Sequence, residues 1–477
     1  MNISKKVYDW YDEMPMASFG EAVPVTERSV PFGTMKHSRV PMDLAEYGYV
    51  EEEFFVTGKA AVYKREKDLL DIEQQPSYYK NRILVRRPVR SEQFSGRVYV
   101  DILNATNNFD FEDLWQRIYA WCVKNGHAYV GITSKPVNVQ ALKLFDKKRY
   151  ESLQWPQVEE NGKVQMQEGA FWDILTQIAE ALWYGADSPL KSFGIKRLYL
   201  SGQSQSGAYL NTYLANFYEL TKKKKIFDGF INLVGVQFSR PVGQDTLPLH
   251  FGYREAFQTD VPYLGITSEG DYELFKNFQA GDVKDHIPEN GNTEQNKCRY
   301  YEVGGAPHYD IECPVIICNN DIKKAGGTPP VLELEKGQEL NRFPLRCYIT
   351  ALLEKLHIWV EYRIVPEEAK LFRKDSEGHL RYDQYGNVQG GLRSPFLDLP
   401  VAKYRANGDR PETEAIGFCE WMSEKEFYQN YTSVPDYMNR FTTYVSKQVE
   451  SGWLLEEDGE ILIRQTEKKL KDRYENG

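Results

Sequence analysis

The chain has 477 residues, 41% of them hydrophobic and 14% aromatic, enough for a large packed core and too apolar for intrinsic disorder. Its 59 Lys+Arg against 69 Asp+Glu leave a net charge of −10, which argues against a nucleic-acid partner, since phosphate backbones are held by a basic field. At about 100–200 residues per domain the length admits several domains or one elaborated α/β domain.

Residues 1–42 are spotted with proline and predict an irregular lead-in that ends by residue 44. No signal-like apolar stretch opens the chain, and no window approaches the roughly 18 consecutive apolar residues of a membrane span, so a cytoplasmic protein without membrane contact is expected. The cysteines at 122, 298, 313, 318, 347 and 419 form no CxxC pair, as in a protein of reduced thiols. Apolar, β-branched or aromatic runs then predict strands over 49–57, 82–87, 97–103, 128–133, 195–200, 230–236, 261–267 and 299–303. Helical periodicity over 111–124, 169–184 and 208–218 interleaves them. That alternation is the signature of an α/β fold, a mostly parallel central sheet with helices on both faces. The first runs lie close together with no helix between them, so the sheet should begin antiparallel and turn parallel after about residue 97. The lysines at 222–225 read as a solvated helix end. Beyond residue 340 come a helix over 345–363, a turn-rich tract containing GNVQGGLRSPFLDLP, and amphipathic helices over 436–451 and 458–475. No Ser/Gly linker or internal repeat intervenes, so residues 45–365 are expected to form a core and 366–477 an extension packed on it.

The sharpest local signal is LYLSGQSQSGAYL, residues 198–210. An apolar strand runs through a turn of small residues straight into a helix, the context of a nucleophile elbow. There the nucleophile sits in strained φ/ψ, and residues two before and two after it must be small so that the strand and helix backbones can approach. Gly202 and Ser206 meet that requirement around Ser204; Ser206 itself would lie a turn too far into the helix. A small-residue turn joins strand to helix in many α/β proteins, so partners decide the matter. In such hydrolases the acid and then the histidine follow the serine in chain order, each after a strand. Here the strand VPYLGIT ends in Ser268, Glu269, Gly270 and Asp271, and RYYEV ends in Gly304, Gly305, Ala306, Pro307 and His308. Of the other histidines, His127 starts a strand, His357 lies in a helix, and His37, His250, His286 and His379 follow no strand end, leaving His308 as the base. Glu269 and Asp271 are both placed to reach the imidazole; Glu269 is preferred, and chemistry does not separate them. The oxyanion hole should use the Gln205 N–H with a donor from the loop opened by Asn104, a loop equally suited to cap a helix.

The set GYVEEEFFVTGKAAVY, RILVRRP, GRVYVDILNATNNFD, AYVGITSK, GQSQSG, VPYLGITSEGD, GAPHYD and GNVQGGLRSPFLDLP resembles the bacterial alpha/beta hydrolase domain-containing proteins over about residues 45–450. The resemblance implies an alpha/beta-hydrolase fold and a serine hydrolase of carboxylic esters, with Ser204 as nucleophile, Glu269 at the acid position and His308 as base. It implies no particular substrate, because fold does not fix function.

The sequence has no GxGxxG opening a helix after the first strand, no P-loop, no HExxH and no EF-hand loop, so no cofactor is expected. Asp310 and Glu312 beside His308 suggest a metal only weakly, since the strand-loop context already accounts for the histidine, and no metal is expected. The partner expected is a small-molecule ester. Hydrolysis of a lactone, thioester or amide by the same triad, or a binding protein that keeps only the fold, are the alternatives. Residues 366–435 and 237–260 are the expected pocket walls or lid, and Arg393 is expected to be structural rather than a ligand for a substrate carboxylate.

Overall fold

The computed structural model describes residues 2–160, 163–236, 238–243, 256–275, 288–310, 313–330, 334–411 and 413–475. The lead-in holds β1 (Asn2–Ile3), α1 (Lys5–Glu13) and β2 (Ser18–Ala22), so it is more regular than its prolines suggest. The Ser4 side chain accepts the Val7 N–H as an N-cap, and Val7 and Tyr11, one helical turn apart, are the buried face of α1. Next comes a long antiparallel hairpin, β3 (Tyr49–Glu66) and β4 (Leu69–Pro88). It outruns the predicted strands because Pro76, which reads as a strand breaker, falls where the register slips from Ala60–Ser77 to Val62–Gln74, a bulge that needs no ladder hydrogen bond from it.

The remaining strands and helices alternate: β5 (Arg97–Ile102), α2 (Asp113–Asn125), β6 (Ala128–Ile132), α3 (Pro136–Phe145), α4 (Lys147–Tyr150), the hairpin β7 (Gln157–Glu160) and β8 (Lys163–Met166), α5 (Phe171–Tyr184), β9 (Arg197–Gln203), α6 (Gln205–Asn216), α7 (Tyr218–Thr221) and β10 (Gly229–Leu233). After them come β11 (Thr259–Ser268), α8 (Glu269–Leu274), β12 (Gly291–Asn292), β13 (Asn296–Val303) and α9 (Asn319–Lys324). The large sheet has the order β12-β13-β11-β10-β9-β5-β6-β4-β3-β2, with β1 beside β4. β6 is the hinge of its topology, antiparallel to β4 and parallel to β5, and β5, β9 and β10 continue parallel. Val100 pairs with Val130 on one side and Leu200 on the other, all fully buried. Burial on both faces is why these strands read as continuous apolar runs without alternation.

Contacts divide the chain into two units. The first comprises Met1–Leu264, Phe278–Cys298 and Pro314–Pro329; the second comprises Gly265–Asn277, Arg299–Cys313 and Pro330–Gly477. The chain passes from one to the other within β11 and again within β13.

Buried arginines organise the first unit. Arg82 lies 2.8 Å from Glu53 and 3.1 Å from Asp110, and Arg86 lies 2.8 Å from Glu51 and 2.6 Å from Glu112. Their remaining N–H groups hold the lead-in, Arg82 donating to Phe32 O and Arg86 to Gly33 O. The lead-in is clamped from its other side by residues far along the chain: Arg39 N–H donates to Ile316 O, Val40 N–H to Pro314 O, and Cys318 N–H to His37 O.

The second unit contains β14 (Glu339–Leu340), α10 (Leu345–Tyr362), α11 (Pro395–Asp398), β15 (Ala402–Arg405), β16 (Phe418–Trp421), α12 (Glu424–Asn430), α13 (Val434–Glu450) and α14 (Glu456–Tyr474). β16 is the centre of a three-stranded sheet, and α13 packs against α14. Its core is aromatic: Phe343 stacks on Tyr348, and Phe396 meets Phe441 edge-on. The GNVQGGLRSP segment packs on β13, where Leu392 N–H donates to Glu302 O at 2.6 Å. Gly391, at φ 68°, lies so close that a Cβ there would fall 2.8 Å from Glu302 O. No disulfide joins the six cysteines, five of which are buried. Among the described residues no helix is long and apolar enough to cross a membrane.

Candidate active site

Ser204 occupies the junction of β9 and α6 at φ 53° and ψ −119°, a left-handed backbone that a side-chain-bearing residue adopts only when its surroundings impose it. The constraints are visible. Ser204 N–H donates to Leu233 O at 2.9 Å, and its own carbonyl accepts the Ala208 N–H at 3.1 Å, opening α6. A Cβ on Gly202 would fall 2.2 Å from Ser206 O, which is the close strand-to-helix approach expected of small residues around Ser204. Two glycines that sequence reasoning passed over are equally constrained: a Cβ on Gly235 would lie 2.3 Å from Ser204 O, and one on Gly207 would lie 2.4 Å from Asn232 Oδ1. Val234, at φ 47°, is a β-branched residue in the left-handed region, forced there as the chain leaves β10 and turns past the elbow. The signal for Val234 and Gly235 was the VGV that ends the apolar run, read as strand up to residue 236 but ending at Leu233. Ser206 is fully buried inside α6.

The loop after β5 is tied to the elbow through Asn104. Its Nδ2 donates to Gln203 O at 3.0 Å, its backbone N–H donates to Phe111 O at 3.0 Å, and its Oδ1 accepts the Thr106 N–H at 2.7 Å. Asn104 is thus a brace whose backbone donor is already engaged, while the next amide, Ala105 N–H, has no acceptor among the described residues. The brace is held in turn by Asn138, whose Nδ2 donates to Asn104 O at 3.4 Å and to Asp110, which also accepts from Thr133 Oγ1 and Arg82. Gln205 is the first residue of α6, where backbone N–H groups lack an intrahelical partner.

In the second unit the residues that end β11 and β13 come together. His308 Nδ1 lies 2.6 Å from Asp271 Oδ1, and Asp271 Oδ2 accepts the Ser268 N–H at 2.7 Å. The Ser268-x-x-Asp271 spacing is a helix-start signal: the third residue of α8 folds back on the residue that caps it, leaving its second oxygen for the imidazole. Burial pushes the Asp271 carboxyl up, and the imidazole opposes that shift. Glu269, preferred on sequence for the imidazole, faces elsewhere: its Oε2 accepts the Gly305 N–H at 2.7 Å, with Tyr382 beside it. Burial raises its pKa to about 7, with the Gly305 N–H opposing. Gly270 must be glycine, because a Cβ there would fall 2.7 Å from His308 N, and Gly270 N–H donates to Ala306 O. The two carboxylates therefore flank one clasp between the acid-bearing helix and the histidine loop. The Phe275 ring meets the imidazole edge-on at 5.3 Å.

The other histidines lie in unrelated surroundings. His37 pairs with Asp321 at 2.8 Å, His127 with Ser95 at 2.7 Å against Trp121, His357 is buried in α10, and His379 is in an exposed turn. His250, His286 and Glu312 lie outside the described residues, as do 237 and 244–255 of the expected lid segment. The Arg393 guanidinium donates to Asp398 Oδ1 and Val388 O, a local brace for its turn.

A family model described as an alpha/beta hydrolase domain matches residues 15–464. No curated protein matches the chain. Similar solved structures include esterase Est22, 11% identical over 56% of this chain and 74% of that one at a TM-score of 0.28. A Rhizomucor miehei esterase is 10% identical over 76% of this chain and 99% of its own, with a TM-score of 0.33. XC6422 from Xanthomonas campestris, described as an a/b serine hydrolase without lid, is 10% identical over 52% and 85% of the two chains, with a TM-score of 0.25.

Proposed function

The chain belongs to the alpha/beta hydrolase domain family, and from that premise we propose that it is a serine hydrolase of carboxylic esters that works through an acyl-enzyme. Ser204 is the nucleophile, His308 the base and Asp271 the triad acid. The observation that carries this reading is the hydrogen bond from His308 Nδ1 to Asp271, which sets the tautomer with Nε2 as the basic nitrogen. As Ser204 Oγ attacks the ester carbonyl, Nε2 takes its proton, and Asp271 stabilises the imidazolium without itself being protonated. The oxyanion is received by the Gln205 N–H and the Ala105 N–H, with Asn104 positioning that loop on the elbow. Departure of the alcohol takes the proton from the imidazolium; water, deprotonated by the same nitrogen, then releases the acid. Glu269 is a positioning residue that ties the histidine loop through Gly305. The substrate is a small ester met in the cytoplasm.

A fluorophosphonate probe with mass-spectrometric site mapping should label Ser204 in the wild type and not in Ser204→Ala, which should lose on the order of 10⁶ in turnover. Labelling elsewhere, or an active Ser204→Ala, refutes the assignment. Relative rates on p-nitrophenyl esters, lactones and amides separate ester hydrolysis from the other acyl bonds.

A further inference from the structure

Beside the nucleophile helix two cations, Lys135 and Arg240, stand near the carboxylate of Glu168. Lys135, the residue that caps α3 just past the end of β6, is 2% exposed. Its Nζ lies 4.1 Å from the centroid of the Tyr209 ring and 3.1 Å from Ser134 Oγ. Tyr209 is five residues past Ser204 along α6, about 7.5 Å of helix rise. Ser134 Oγ donates to Leu103 O, one residue before the Asn104 brace. The amine is therefore wedged between the oxyanion loop and the opening turns of the nucleophile helix.

An ammonium has three donors and needs acceptors for them when buried. Lys135 directs one at Ser134 Oγ and otherwise faces a ring. Glu168, the first acid that Lys135 senses, is already shared: the Tyr209 hydroxyl donates to it, and Arg240 Nη2 stands 4.0 Å from the same group. Arg240 Nε is buried and has no hydrogen-bond partner among the described residues. Asp110, the other acid that Lys135 senses, is bound to Arg82, Thr133 and Asn138. Among the described residues, two cations against the one carboxylate not bound to another arginine leave a single positive charge and unmatched donors on both cations. A carboxylate has the charge and the two acceptor oxygens to match them, whereas a phosphate dianion would exceed the charge. The carboxyl ends of parallel strands, where β6 delivers Lys135, are also where α/β sheets receive ligands.

We propose that Lys135 and Arg240 form a subsite for a carboxylate, so that the preferred substrate is an ester whose acyl portion carries a free carboxylate. The acyl side follows from position, since the oxyanion loop and the nucleophile helix are the elements that would hold the acyl carbonyl. This inference rests on the hydrolase reading of Ser204. Burial lowers the Lys135 amine to about 7, with Glu168 pulling it up and Arg240 pushing it down. The preference for the anionic ester should therefore fade between pH 6 and pH 9, as the ammonium is lost.

The test compares kcat/KM for the p-nitrophenyl monoester of glutaric acid with that for p-nitrophenyl valerate, of equal acyl length. The anionic-to-neutral ratio should fall about tenfold or more in Lys135→Met and in Arg240→Met, mainly through KM. Glutarate should inhibit the wild type competitively and the variants more weakly. An unchanged ratio in whichever variant still takes the fluorophosphonate label, or wild type indifferent to glutarate, overturns the subsite. A wild type that takes no label at Ser204 overturns the hydrolase reading instead, so the two failures are distinct.

Discussion

Glu269→Gln separates two roles that a buried carboxylate two residues from Asp271 could play. Burial holds the Glu269 carboxyl at about 7 against 4.5 for an ordinary glutamate, a shift of 7 − 4.5 = 2.5 units, or about 3 kcal/mol at roughly 1.36 kcal/mol per unit. The sign follows from proton binding. Between 4.5 and 7 the folded chain holds a proton that the unfolded chain has released, so this contribution is complete below 4.5 and is lost as pH rises through 7. Glutamine keeps an acceptor for the Gly305 N–H and has no proton to lose. The stability of Glu269→Gln relative to wild type should therefore rise by about 3 kcal/mol from pH 4.5 to pH 8.5. Urea unfolding at the two pH values, followed by tryptophan fluorescence, reads the difference, and a relative stability independent of pH refutes the argument. The same variant should keep kcat/KM within about tenfold, since the imidazole's partner is Asp271 and a positioning contact is largely preserved.

Asp271→Asn should lower kcat by about 10⁴, through loss of the imidazolium's counter-charge and of the favoured tautomer; steady-state kinetics on a p-nitrophenyl ester measures it, and a loss under tenfold would place the triad acid elsewhere. Gly235→Ala should lower kcat by about 10² by displacing the turn at Ser204, because the added methyl would meet Ser204 O at 2.3 Å and other backbone of Ser204 and Gly207, which cannot swing aside like a flexible side chain; full activity would mean the turn tolerates movement. Arg82→Met should cost about 3 kcal/mol in chemical denaturation, since it takes the cation from buried Asp110, left with Thr133 and Asn138, and one of two from Glu53, which keeps Arg149; a loss below about 1 kcal/mol would show that these remaining partners or protonation compensate.

The sheet and the strand–turn–helix at Ser204 were legible for a shared reason: both are written in short stretches of sequence. Strands buried on both faces are apolar throughout, and Gly202, Ser204 and Ser206 crowd a turn whose constraint is local. The loop that carries His308 was legible because it follows a strand end directly. The choice between Glu269 and Asp271 was harder, since both sit in the first turn of one helix and both are buried. What separates them is direction, set by the short Asp271 side chain folding back to Ser268 N–H while Glu269 reaches across to Gly305. The Gly235 and Lys135 environments depend on contacts between segments distant in the chain, and a lysine in sequence reads as solvated until its neighbours are known. The lead-in helix escaped notice because only Val7 and Tyr11 of its nine residues are buried.

The clamp on the lead-in has a consequence for the order in which the polypeptide can mature during its synthesis. Ser38 bridges Ile317, 279 positions later (317 − 38). At about 5–20 residues per second a ribosome needs roughly 14 to 56 s to cover that distance. Arg82 and Arg86 emerge much sooner and offer donors to Phe32 O and Gly33 O. The nascent lead-in can thus be parked on the hairpin early and locked only when residues 314–318 arrive. A ribosome that stalls before residue 314 holds a chain whose Ser204 turn has been made while residues 37–40 still lack their partners at 314–318.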